Sequence, residues 1–176
     1  MRAYTPWDRT DGEADVPAGA AATRATVPAA GRPRDSEEDV VTSGLEEIVR
    51  AFFADWATRD PDLLVAYFAP AGEWSEANRA PARGHDEIRS VLELQVGFGS
   101  EFEFEFRTIG SFGSTVFTER IDRFTINGSP IVVPVAGLLE FDEAGKIRTW
   151  HDYYDWSALE RQLIESGVDM SGADHA

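Results

Sequence analysis

The sequence contains no cysteine. That excludes disulfides, thiolate metal sites, cysteine nucleophiles and iron–sulfur clusters together. Histidine is scarce, and His85, His151 and His175 are too scattered to form an H-x-x-x-H metal pair. No stretch approaches the roughly 18 uninterrupted apolar residues of a membrane span. The acidic start, MRAYTPWDRTDGEADVPAG, lacks the apolar segment of a secretion signal. Basic residues are outnumbered, 16 Lys and Arg against 32 Asp and Glu, giving a formal net charge of −16. Such a charge repels nucleic acids and anionic membranes, so neither is expected as a partner. The expectation is a soluble, cytoplasmic protein without a metal or cofactor.

What is present is a chain of 176 residues, 43% hydrophobic, with 11 Phe and 5 Trp. That is enough for one domain with a core. Residues 1–42 are rich in Ala, Pro, Gly, Arg and Asp and poor in large apolar residues, so they read as a disordered leader. Tyr4 and Trp7 leave room for a short docking segment there. Order is expected over residues 43–168, with a disordered tail at 169–176. The run Ser43-Gly44-Leu45-Glu46 resembles a capping box at a helix start. Leu45, Ile48, Val49, Phe52, Phe53 and Trp56 then recur at helical spacing.

Asp60-Pro61 marks a second helix start, expected to turn Leu63, Leu64, Tyr67 and Phe68 inward and to end by Pro70. A short strand, residues 73–77, a Pro/Arg loop and a third helix over residues 85–96 follow. From Glu101 the period switches to two, with Phe102, Phe104 and Phe106 alternating against Glu101, Glu103 and Glu105. Two further strands, STVFTERIDRFTI and SPIVVPVAGLLEF, are joined by Asn127-Gly128, a strong hairpin signal. A tight turn at DEAGK leads to the strand KIRTWHDYYD and the closing helix WSALERQLIES. Helices gathered ahead of a strand meander imply an α+β fold, with a curved, mainly antiparallel sheet wrapped around the N-terminal helices.

Ionisable residues inside apolar strands are the informative oddities. Arg120 and Asp122 share a face with Val116, Phe124 and Ile126, and Asp152 shares one with Trp150 and Tyr154. An aspartate among aromatics is desolvated, which raises its pKa unless a cation compensates, and one guanidinium can fork to two carboxylates. The same pattern also fits cross-strand ion pairs on a solvated face, and alternation does not choose between them. Trp150, Phe124, Phe104, Leu138, Val135, Tyr154 and Tyr67 are candidate walls of an apolar pocket. His151 falls on the face opposite Asp152.

GSTVFTERID and GKIRTWHDYYDWSALE, with YFAPAGEW followed by RGHDEIRSVL, resemble the limonene-1,2-epoxide hydrolase family. That family belongs to the broader NTF2-like and SnoaL-like cone-fold group, and the likeness runs from about Gly44 to Leu163. The resemblance implies that Asp152 is a general base activating water and Asp122 a general acid for the epoxide oxygen. It also implies that Arg120 bridges the two, and it implies a homodimer and a small apolar substrate, a terpenoid or polyketide epoxide. One departure stands out. Where the family holds its water with a Tyr and an Asn, this chain has Trp74 and Glu76. Steroid isomerases, SnoaL-like cyclases and polyether epoxide-opening enzymes of the group place a carboxylate base near that position, so Glu76 is a second candidate base. Three readings follow: an epoxide hydrolase, a cyclase or isomerase using an internal hydroxyl, and a non-catalytic binder of small molecules.

Overall fold

A computed structural model describes residues 37–77 and 79–170. Residues 1–36 and 171–176, with most of the expected leader and tail and with Tyr4, Trp7 and His175, lie outside the described residues. The first helix, α1 (Glu37–Asp55), begins before the expected capping box, so Ser43 lies inside it. Its apolar stripe is as expected, with Leu45, Val49, Phe52 and Phe53 buried and Trp56 buried just beyond the last turn.

Asp60 caps α2 (Pro61–Val65), accepting from the backbone N–H groups of Asp62 and Leu63 at 3.0 and 3.4 Å. The helix is much shorter than expected. Tyr67 and Phe68 are not helical, Leu63 is exposed, and the chain enters β1 (Phe68–Glu76) at once. Pro70 disfavours helical backbone at Ala69. Strand pairing takes over instead, with the N–H of Ile147 donating to the carbonyl of Tyr67 at 2.9 Å. The Pro/Arg loop contains a two-residue strand, β2 (Ala82–Arg83), before α3 (Gly84–Phe98), which buries Ile88, Leu92 and Val96.

Three long strands follow, β3 (Ser100–Phe112), β4 (Thr115–Ile126) and β5 (Ser129–Phe141). Asn127 and Gly128 take φ of 50° and 80°, the paired positive values of a type I′ turn between β4 and β5. Then come β6 (Ile147–Tyr153) and α4 (Trp156–Glu165). The six strands form one open, curled sheet in the order β2-β1-β6-β5-β4-β3. All neighbours are antiparallel except β1 and β6, which run parallel. This is the α+β architecture expected, with the helices ahead of a mainly antiparallel sheet. No helix among the described residues is long and apolar enough to cross a membrane.

Two apolar clusters build the interior. The larger joins α1, α3, β1, β6 and the half-buried phenylalanines of β3; the smaller joins Ile126, Ile131, Val133 and Val135 to Leu163 of α4. Phe52 anchors the larger, fully buried and edge-on to Phe53, Trp56, Tyr67 and Trp150 at centroid distances of 4.9–5.7 Å. Phe52→Ala is expected to lower unfolding stability by about 3–5 kcal/mol, read from urea denaturation.

Candidate active site

Residues Thr118, Arg120 and Asp122 recur at strand spacing on β4, so their side chains share the inner face of the sheet. Arg120 is buried, 2% exposed, with its guanidinium carbon 4.7 Å from the centroid of Phe53 and 5.9 Å from that of Trp150. It forks to Asp152 through NH1 at 3.0 Å and NH2 at 2.6 Å, while its Nε donates to the two oxygens of Asp122 at 2.8 and 3.2 Å. NH1 also reaches the hydroxyl of Thr118 at 3.3 Å. Asp152 Oδ1 accepts a further bond from the indole N–H of Trp150 at 2.8 Å. The solvated-face reading of these charges is therefore wrong for this strand face.

The contact across β5 depends on a missing side chain. β5 runs between β4 and β6, with Gly137 opposite both Thr118 and Asp152 in register. A Cβ there would lie 2.6 Å from Thr118 Oγ1 and 2.8 Å from both Arg120 NH1 and Asp152 Oδ1. Only glycine leaves the guanidinium room to cross the middle strand.

Glu76 enters from β1, whose parallel pairing with β6 sets it beside Asp152. Its Oε1 accepts from Gln95 of α3 at 2.7 Å. Burial, and then the charge of Asp152, push its carboxyl up to about 7 from 4.5; the Gln95 hydrogen bond and the charges of Arg79 and Arg120 oppose the rise. Burial likewise raises Asp122 from 3.8 to about 6, with the charge of Arg120 working against it. Burial acts to lower Arg120, but the charges of Asp152 and Asp122 outweigh it and hold the guanidinium above its ordinary value. Tyr154 is raised far above the usual phenol range by burial and by Glu76 and Asp152, so it stays protonated.

These groups open onto a cavity of about 600 Å³ along the seam between the two apolar clusters. Trp74, Trp150, Phe104, Phe124, Val135 and Tyr154 line it. Two expected wall residues do not. Tyr67 instead packs on Phe52, its hydroxyl donating to Asp55 at 2.6 Å. Leu138 pairs with Phe117 and His151 on the outer face of the sheet, because it stands three residues from Val135 and strand alternation separates them. Trp74 stacks on Trp150 at 5.2 Å, and its indole N–H is buried without a hydrogen bond among the described residues. His151 lies on the outer face too, stacked on Tyr153 and bonded to the carbonyl of Ala77 at 3.0 Å. A more open hollow of about 720 Å³ lies at the Asp142–Gly145 turn. Its Asp142 caps that turn and its Arg148 pairs with Glu140.

Residues 49–150, more than half of the sequence, match the SnoaL-like domain family. The chain belongs to that family. Among solved structures, this SnoaL-like domain is similar to an LEH-like epoxide hydrolase from M. tuberculosis. The TM-score is 0.62 at 26% identity, over 72% of this chain and 93% of that one. It is also similar to a Catenulispora acidiphila protein with a ketosteroid isomerase-like fold, in complex with trimethylamine. There the TM-score is 0.61 at 26% identity, over 73% and 98% of the two chains. The epoxide hydrolase/cyclase-like enzyme SalBIII of pyran ring formation in salinomycin shares the fold. Its TM-score is 0.60 at 16% identity, over 66% of this chain and 94% of that one. No curated protein matches the sequence.

Thr118, Gly137, Gln95 and the indole of Trp150 take part in this SnoaL-like site without having been singled out as polar members of it from sequence. The first two carried a signal, since Thr118 continues the Arg120–Asp122 spacing and Gly137 interrupts an apolar strand. Gly137→Ala is expected to cost about 1–3 kcal/mol of stability, measured in urea. Glu76 supplies a second prediction with a definite sign. The folded chain holds its proton up to about pH 7 and the unfolded chain only to about 4.5, so stability is lost as pH rises between them. Glu76→Gln should therefore be more stable than the parent above pH 7 by up to roughly 3 kcal/mol, with the difference closing below 4.5. Urea midpoints across that range are the readout.

Proposed function

We propose that this protein opens an apolar epoxide by adding water, with Asp152 as general base, Asp122 as general acid and Arg120 as the cation between them. The observation that carries the reading is one buried guanidinium bonded on two sides to two carboxylates whose oxygens face an aromatic-walled cavity. In the step proposed, a water gives its proton to Asp152 while its oxygen attacks an epoxide carbon. The carbon–oxygen bond on that carbon breaks, and the departing oxygen takes the proton of Asp122. A diol results, and the proton on Asp152 returns to Asp122 through solvent to reset the pair. Asp122, raised to about 6 by burial, holds a proton closer to neutrality than an ordinary carboxyl does.

Glu76 fits the same chemistry once its protonation is considered. Below about pH 7 it is a neutral acid, which donates one hydrogen bond and accepts another as a side-chain amide does. It can then hold the attacking water where an amide would, with Gln95 fixing its other oxygen. A second reading rests on the same residue. Above that pH the ionised Glu76 is able to take a proton from a hydroxyl of the substrate, closing a ring instead of forming a diol. The homodimer remains a proposal too; Phe117, Val132 and Tyr153 are its exposed apolar residues on the outer sheet face.

Turnover of a panel of apolar epoxides, limonene-1,2-epoxide included, in ¹⁸O-labelled water tests the assignment. Label in a diol is expected; an unlabelled ring-closed product would favour the second reading, and no turnover across the panel would overturn both. Asp152→Asn should reduce kcat by about 10³-fold with the fold retained by circular dichroism. If that variant stayed near wild type while Glu76→Gln was inactive, Glu76 would be the base. In the parent, kcat/KM should fall with rising pH from about 6, as Asp122 loses its proton, at up to tenfold per pH unit, and more steeply above about 7, where Glu76 loses its own.

A further inference from the structure

The charges lining the cavity are unevenly distributed. Glu76, Asp122, Asp152 and Asp169 are acidic, and the only cations in its lining among the described residues are Arg120 and Arg79. Arg120 is committed to Asp122 and Asp152. Arg79 makes no ion pair among the described residues, in a chain with twice as many acidic as basic side chains. Its backbone N–H donates to the carbonyl of Glu76 at 3.0 Å, which ties it to the end of β1. Its guanidinium carbon stands 5.1 Å from the centroid of Trp156, at the start of α4. Both residues line the cavity; Arg79 is exposed, and the Arg120 group is buried. The charge of Arg79 is felt at Glu76 and at Tyr154, so it acts on the cavity interior as well as on solvent.

A guanidinium stacked on an indole keeps its in-plane N–H groups free, and stacking limits the side-chain freedom lost when they engage a ligand. Those groups match a carboxylate in geometry. Deeper in the cavity the one cation, Arg120, is already engaged by Asp122 and Asp152, so a carboxylate would find no uncommitted positive partner there, and Arg79 is the cation of the lining left to receive it. We propose that Arg79, braced on Trp156, binds a carboxylate at the end of the substrate remote from its epoxide. The substrate class is then an apolar epoxy acid rather than a neutral hydrocarbon epoxide. This rests on the epoxide-opening reading for its catalytic arm, and on the cavity alone for its binding arm.

The catalytic arm compares undecanoate carrying a terminal epoxide with its methyl ester. In the parent protein kcat/KM should favour the acid. In Arg79→Gln the acid-to-ester ratio should fall about tenfold or more, and Arg79→Lys should keep part of the preference. Taking the ratio cancels any effect of Arg79 on Glu76 that both probes share. The binding arm titrates unreactive undecanoate and methyl undecanoate by tryptophan fluorescence, with the same ratio expected to fall in Arg79→Gln. An acid-to-ester ratio unchanged by Arg79→Gln in the binding arm would overturn the proposal. If neither epoxide were opened while undecanoate binding still depended on Arg79, the epoxide reading would fail and the carboxylate site would stand.

Discussion

A guanidinium buried beneath two aromatic rings is the constraint around which the rest of the interior is arranged. Removing such a charge from water costs several kcal/mol, and the loss is offset only where its donors meet acceptors of opposite charge. Arg120 meets them through β4 itself, which supplies Asp122 and Thr118, and through β6, which supplies Asp152. The order of the sheet makes that possible, because a single strand, β5, lies between β4 and β6. The parallel pairing of β1 with β6 then brings a third carboxylate to the same place. Topology, more than any local sequence signal, concentrates the ionisable groups.

Their environments keep the carboxylates from being equivalent. Asp152 receives three N–H donors, two from Arg120 and one from Trp150. Asp122 shares a single nitrogen of the same guanidinium, and burial outweighs that partner. Glu76 has one neutral amide as its hydrogen-bond partner and a carboxylate as its neighbour, so it holds its proton more tightly than Asp122 does. One cation placed off-centre among three acids gives each of them a different set of donors. Under the proposed reading, that difference separates an acceptor of protons from a donor.

Much of this was legible in the sequence, and the exceptions have physical reasons. Strand alternation placed Arg120 and Asp122 on one face and Asp152 on the face of Trp150. It could not say whether those faces were wet, because period two is blind to what packs above a sheet. Family resemblance supplied that step. The second helix was misread because Leu63, Leu64, Tyr67 and Phe68 satisfy helical spacing, while the pairing of Phe68 with Ile147 is non-local and leaves no mark in a short window. Leu138 was assigned to the pocket against its own parity with Val135, an error that alternation alone could have prevented. Gln95 stands within the expected third helix, but only the fold reveals that it faces Glu76.

Gly137 and Arg120 constrain each other's history. While the arginine stands, a side chain at position 137 is costly, since its first carbon would intrude on Thr118, Arg120 and Asp152 together. If the arginine were exchanged for something smaller, one of the three contacts would vanish, Thr118 and Asp152 would lose the partner that fixes them, and a methyl group at 137 would meet less resistance. A later return of arginine would then find its place taken. The two substitutions are easier in one order than in the other. A lineage that once abandoned the buried cation would therefore have difficulty recovering it, and the empty position on β5 acts as a ratchet on the chemistry of the site.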